Sequence, residues 1–203
     1  MYRLSKTASY SLIVKKSEFI SLLFTVTNED EVRERIKQVR KEHPKARHVC
    51  HGVILHGSQI VERSNDDGEP SGTAGLPILE VLRKRNMENI LAVVVRYFGG
   101  TLLGSGGLIR AYSQSVSLCL DQAELTEVKS VLKSVVSFPI NFTDPLINLL
   151  KNTTILKKEF EEDVVLTLLS EDESWLEPCQ TLCSGQFTVV SQSKVDIEVP
   201  IKK

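Results

Sequence analysis

The sequence predicts an α+β protein of two domains, the second in the βαββαβ order of ferredoxin-like folds. Three observations predict it. Up to residue 124 the segments read strand, helix, two strands, helix, strand, helix. Eight of the 11 glycines lie between Gly68 and Gly107, and only Gly185 follows them. From Val128 onward the segments read strand, helix, strand, strand, helix, strand. The length of 203 residues allows one large domain or two small ones. The change near residues 124–130 divides it into 1–128 and 129–203.

Each element has a local reason. Lys15–Val26 is rich in β-branched and aromatic residues and reads as a strand. Asn28, with Glu31 three residues on, opens a helix. Val32, Ile36 and Val39 recur on one of its faces, and Pro44 stops it. Val49–His56 and Gln59–Ser64 are strands around the Gly57-Ser58 turn. A polar loop, Asn65–Gly72, leads to a helix over Thr73–Asn86, whose Pro77 is tolerated only near the first turn. Ile90–Tyr97 is continuously apolar, as in a strand buried on both faces. The loop Phe98–Gly107 precedes a helix over Leu108–Glu124. In the second domain the strands are Val131–Asn141, Thr154–Glu159, Val164–Ser170 and Thr188–Val199. Its helices are Asp144–Lys151 and Glu173–Cys183.

Charge and cysteine usage narrow the function. With 25 Lys+Arg against 26 Asp+Glu, the net charge is −1, unlike a general nucleic-acid binder. Residues 1–128 hold 17 basic and 15 acidic residues, and 129–203 hold 8 and 11, so neither half is polarised enough to name a partner. The N-terminal stretch lacks a signal-peptide core, and the apolar run at Ile90–Val95 is too short to span a membrane. Four sparse cysteines without CxxC pairs fit a reduced, cytoplasmic protein. Cys179 and Cys183 share a helix face, and the second half has no His to complete a metal set.

Two loops carry the candidate chemistry. The first site comprises Arg96, Gly99, Gly100, Gly104, Gly106, Gly107 and Arg110. Strand, glycine-rich loop and helix bring orphan backbone N–H groups and a positive helix end together, an anion-binding arrangement. Arg96 and Arg110 supply bidentate cations. The loop is neither a P-loop, having no Lys after its glycines, nor a dinucleotide fingerprint, having Ile109 at the third glycine position. The glycines equally suit a tight turn and close packing. The second site is the acidic loop, with Asp66, Asp67 and Glu69. It reads as a turn capped by its own carboxylates, as ion pairing to the arginines of the other loop, or as a cation site without EF-hand spacing. No cofactor and no metal are assigned.

Other nucleophile sets are weaker. In Arg47-His48-Val49-Cys50-His51, strand alternation puts His48 and Cys50 on one face. A nucleophilic pair there needs a lowered thiol pKa. Ser71 and Ser105 do not fit a G-x-S-x-G elbow. No catalytic residue is assigned.

Two long motifs stand in order: Ser64-Asn65-Asp66-Asp67-Gly68-Glu69-Pro70-Ser71-Gly72-Thr73-Ala74-Gly75-Leu76-Pro77-Ile78-Leu79, and Val95-Arg96-Tyr97-Phe98-Gly99-Gly100 continued by Leu103-Gly104-Ser105-Gly106-Gly107-Leu108-Ile109-Arg110-Ala111-Tyr112. On these, with His48-x-Cys50, the chain resembles bacterial-type members of the YigZ/IMPACT family. The resemblance implies an N-terminal domain like the second domain of ribosomal protein S5. It implies a ferredoxin-like domain after it, like the last domain of elongation factor G. It also implies a link to translation, with no established reaction. Eukaryotic members regulate translation by competing for the activator of an initiation-factor kinase, and carry an RWD domain for which no room is expected here. That pathway is not carried over. The family usually has Lys where Leu102 stands, so one basic contact is missing.

Three functions follow. The favoured one is a non-catalytic, translation-linked binding protein that meets RNA or a ribosome-associated protein through both loops, without membrane contact. The second is an enzyme acting on a small anionic or phosphorylated substrate, with metal assistance. The third is an interaction module docking by its ferredoxin-like sheet.

Overall fold

A computed structural model describes Met1–Ile201. The chain forms two compact units, Met1–Glu127 with Pro200 and Ile201, and Val128–Val199. Both are mixed α/β, with antiparallel sheets. No helix among the described residues is long and apolar enough to cross a membrane.

The first unit contains β1 (Tyr2–Leu4), β2 (Ala8–Val14), β3 (Ser17–Thr25), α1 (Glu29–Glu42), β4 (His48–His56), β5 (Ile60–Asn65), α2 (Gly75–Lys84), β6 (Ile90–Tyr97) and α3 (Gly104–Gln122). Its main sheet has the order β2-β3-β6-β4-β5. The continuous apolar run of β6 serves two faces at once. Ile90, Ala92 and Val94 join the core with residues of α2 and α3, such as Ile78, Leu82, Tyr112 and Val116. Leu91, Val93 and Val95 join the opposite core with Val32 and Val39 of α1. The α1 start is capped as its sequence predicts. Asn28 Oδ1 accepts from the Glu31 N–H at 2.9 Å, and the Glu31 carboxylate accepts from the Thr27 N–H at 2.8 Å.

Two corrections concern this unit. The predicted strand at Lys15 begins instead at Ser17, because Lys15 and Lys16 form a hairpin turn with φ of 46° and 68°. This left-handed turn lacks the Asn-Gly signature, so the preceding β2 was not legible. Helix α3 begins at Gly104, not Leu108. Gly104, with φ of 69°, turns the chain into the helix, and Gly106 and Gly107 lie in its first turn rather than in a free loop. Glycine weakens a helix by only about 1 kcal/mol per residue, which packing of the Leu108–Leu120 face overrides.

Gly99 is fixed by closeness, not by its torsion. A Cβ there would lie 2.0 Å from the Lys16 carbonyl carbon, and its N–H donates to Ser17 Oγ at 3.1 Å. Gly99→Ala is expected to destabilise the protein by about 1–3 kcal/mol, since backbone must give way. Urea unfolding measures it, and a wild-type midpoint would refute it.

The second unit contains most of β7 (Leu125–Pro139), then α4 (Thr143–Leu149), β8 (Thr154–Phe160), β9 (Asp163–Ser170), α5 (Leu176–Leu182) and β10 (Thr188–Pro200). The first residues of β7 belong to the first unit, where Leu125–Glu127 pairs antiparallel with β1. In the second unit the strands lie in the order β8-β9-β7-β10. Alternate residues Val136, Phe138, Val164, Leu166 and Leu168 face a core closed by Leu146, Trp175 and Phe187. Cys179 and Cys183 lie in that core as unbridged thiols.

Candidate functional site

The acidic loop is organised by its own carboxylates. Asp66 Oδ1 accepts from the N–H groups of Ala74 and Gly75 at 2.9 and 2.8 Å, and Oδ2 accepts from Gly72 at 2.8 Å. It thereby caps α2, whose own N-cap, Ala74, has no side-chain acceptor. Partial burial pushes the Asp66 carboxyl up, but the bonds from Gly72, Gly75 and Ala74 outweigh it and hold it below its ordinary value. Asp67 has two partners, Arg40 of α1 at 2.5 Å and the Val49 N–H at 2.6 Å. Partial burial again opposes these, and the partners win, so its carboxyl is also lowered. Glu69 points inward.

Glu69 is the centre of a buried network. Its Oε1 accepts from Arg96 Nη1 at 2.7 Å and from the Tyr112 hydroxyl at 2.8 Å. Arg96 is only 6% exposed, because the pairing of β6 with β3 and β4 turns it to the helix-covered face. Its guanidinium lies 5.4 Å from the Phe19 ring centroid and 5.6 Å from that of Phe98. Its Nε has no hydrogen-bond partner among the described residues. The expectation of Arg96 as a cation free for a ligand is corrected: it is paired inside, with a carboxylate of the acidic loop. That loop-to-loop pairing was one of the alternatives left open. Glu69 and Arg96 join two segments 27 residues apart.

Cys50 completes the network. Its thiol donates to the Asp66 carbonyl at 2.9 Å and lies 3.4 Å from the Tyr112 hydroxyl. Burial, outweighing the bond to Tyr112, pushes the thiol up to about 12. Burial likewise raises the Tyr112 hydroxyl. A Cys50–His48 nucleophilic pair is thus not formed: His48 Nδ1 donates to the Asp67 carbonyl at 2.9 Å instead. Iodoacetamide at pH 8 is expected to leave Cys50 unmodified in the folded chain and to label it in denaturant. Mass spectrometry of the peptide checks this, and rapid native labelling would overturn it.

Above the network is an open cleft of about 410 Å³. Arg47, His48, Glu69, Arg96, Gly104 and Ser105 supply its polar lining. Pro70, Phe98, Leu102, Leu103 and Leu108 supply its apolar lining. The first turn of α3 opens here without a side-chain cap. Phe98 is 51% and Leu102 is 84% exposed. Of the predicted residues, Arg96, Gly104 and Glu69 meet in the cleft. Gly99 and Gly100 lie in the loop that carries Phe98, and Gly106 and Gly107 in the α3 turn. Asp66 and Asp67 lie behind the lining. Arg110 is exposed on α3 and does not line the cleft. Among the described residues, no three His, Cys, Asp or Glu side chains group to hold a metal ion. Sequence reasoning missed Tyr112, Phe98, Arg47 and Ser17. Only Tyr112 left a signal, falling on the buried stripe Leu108, Tyr112, Ser115, Cys119.

Comparisons with known proteins bear on this site. The Impact N-terminal domain matches residues 15–120, which contain all the cleft residues. YvyE of Bacillus subtilis (strain 168), an IMPACT family member, is 36% identical over 200 residues, covering 97% of this chain and 89% of the relative. YigZ of Escherichia coli (strain K12), another member, is 42% identical over 111 residues, 54% of either chain. A crystal structure of a hypothetical protein aligns over 100% of this chain and 97% of its own, with a TM-score of 0.59 and 26% identity. With the cleft residues inside the matched domain and both units inside the YvyE match, the chain belongs to the IMPACT family, as a bacterial-type two-domain member.

Proposed function

We propose that this protein is a non-catalytic, translation-linked regulator that works in the cytoplasm by binding, and that the cleft of the first unit is its contact surface. The observation that carries this is the composition of the cleft. It offers donors and exposed apolar side chains to a partner, while the buried groups beneath it are committed to one another. Cys50 and Tyr112 are held protonated, and Glu69 is neutralised by Arg96. That favours recognition over acid–base or nucleophilic chemistry. The link to translation rests on family membership and on the fold the resemblance implies. The βαββαβ order and the β10-β7-β9-β8 strand order support a ferredoxin-like second domain. The first is read as S5 domain 2-like, and the domains as 1–128 and 129–203.

Sedimentation of the purified full chain with ribosomes through a sucrose cushion tests the proposal. Co-sedimentation is expected, with Leu102→Asp and Arg47→Glu each shifting the chain to the supernatant. A chain that never pellets with ribosomes, even at low salt, would overturn it.

A further inference from the structure

Resting on that reading of the cleft, we infer that its occupant is single-stranded RNA, with one base stacked on Phe98 and a phosphate at the first turn of α3. Phe98 is a braced platform. The Arg96 guanidinium supports its ring, Phe19 backs the guanidinium, and Glu69 holds it from the side. Half of the Phe98 side remains open to solvent. Proteins that take unstacked bases use aromatic faces of this kind, because every base has a π-face.

The anion end is separate from the platform. Asp66 occupies the N–H groups at the start of α2, but among the described residues no side chain caps the start of α3. Gly104 and Ser105, at that start, line the cleft. A second observation bears on it: Arg96, in the cleft wall, nine-tenths buried and paired to Glu69 through Nη1, keeps its Nε without an acceptor among the described residues. The unbalanced charge lining the cleft is Arg47, since Arg96 and Glu69 are paired to each other. Beyond Phe98, the exposed Lys15 and Lys16 sit at the hairpin tip packed against Gly99, where a continuing backbone would meet positive charge.

Size and sugar chemistry narrow the class further. A cleft of about 410 Å³ lies within the range of small-ligand sites, roughly 300–1,000 Å³, and has room for a nucleotide. His48 donates through Nδ1 to the Asp67 carbonyl, which leaves Nε2 as an acceptor for a 2′-hydroxyl. The near-zero net charge of the chain agrees with local recognition instead of a general grip.

Fluorescence polarisation of the full chain with labelled oligouridylate, across a salt series, tests the inference. Phe98→Ala is expected to weaken binding about 5- to 100-fold. Arg47→Gln is expected to lower the salt slope by about 0.7, the value for one phosphate contact on a single strand. Ile140→Ala, on the second unit, leaves binding unchanged, and thermal melts confirm that each variant is folded. No saturable binding at low salt, or binding indifferent to Phe98→Ala, would overturn the inference. Equal affinity for the deoxy oligomer would overturn its assignment to RNA. If the chain pellets with ribosomes through the cleft but binds no oligouridylate, the occupant is a protein, and this inference fails while the function stands. If it neither pellets nor binds, both fail.

Discussion

Glu69→Ala is expected to cost about 3–5 kcal/mol of stability, the loss typical when one partner of a buried ion pair is removed. The reason is what remains. Arg96 would keep its charge between Phe19 and Phe98 with no carboxylate, and the Tyr112 hydroxyl would lose its acceptor. Burial of both partners is nearly complete, at 6% and 4% side-chain exposure, so water does not substitute. Glu69→Gln retains an acceptor without the charge and is expected to lose less. The double variant Arg96→Leu/Glu69→Leu is expected to recover most of the stability, since an apolar pair leaves no orphan charge. Urea unfolding of the three variants decides it. A Glu69→Ala chain within 1 kcal/mol of wild type would show that the pair is not what holds the two loops together.

Asp66→Ala comes next, at about 2–3 kcal/mol, because one carboxylate serves three backbone donors at the start of α2. The contribution depends on pH. The folded carboxyl is lowered, so its stabilisation is complete above the ordinary carboxylate pKa of about 3.9 and is lost as pH falls through the folded value. The stability gap between wild type and Asp66→Asn is therefore widest at neutral pH and closes in acid. Chemical denaturation at a series of pH values measures that gap. A gap constant from neutral pH down into acid would contradict the capping role.

Much of the fold was legible because its elements carry strong local signals. The Asn28–Glu31 cap, Pro44, and the unbroken apolar run Ile90–Tyr97 each describe their surroundings in a few residues. β2 did not, since its alternate residues are only half-buried on a sheet edge and its turn uses two lysines. The candidate site was half legible. Glycines and carboxylates marked segments that line or underlie the cleft, yet the role of each depended on register. Arg96 lies opposite Phe19 and His48 in the sheet, and that pairing decides that it faces Glu69 rather than solvent. Phe98 and Arg47 gave no signal, because a stacking platform is made by the side chain behind it. No spacing in the chain announces that Arg96 would stand there.

The central position of β6 has a consequence for synthesis. β2-β3 and β4-β5 are local hairpins that form as soon as they emerge. β3 and β4 both wait for β6, which pairs with each of them. Between the end of β4 at His56 and the end of β6 at Tyr97, translation at about 5–20 residues per second leaves roughly two to eight seconds with two unpaired inner edges. Nascent chains stalled before Ile90 are expected to be held by chaperones and cleaved by proteases, and chains extended far enough to free α3 are not. Limited proteolysis of stalled complexes reads that transition, and in this sheet the last strand inserted is the one on which both hydrophobic cores close.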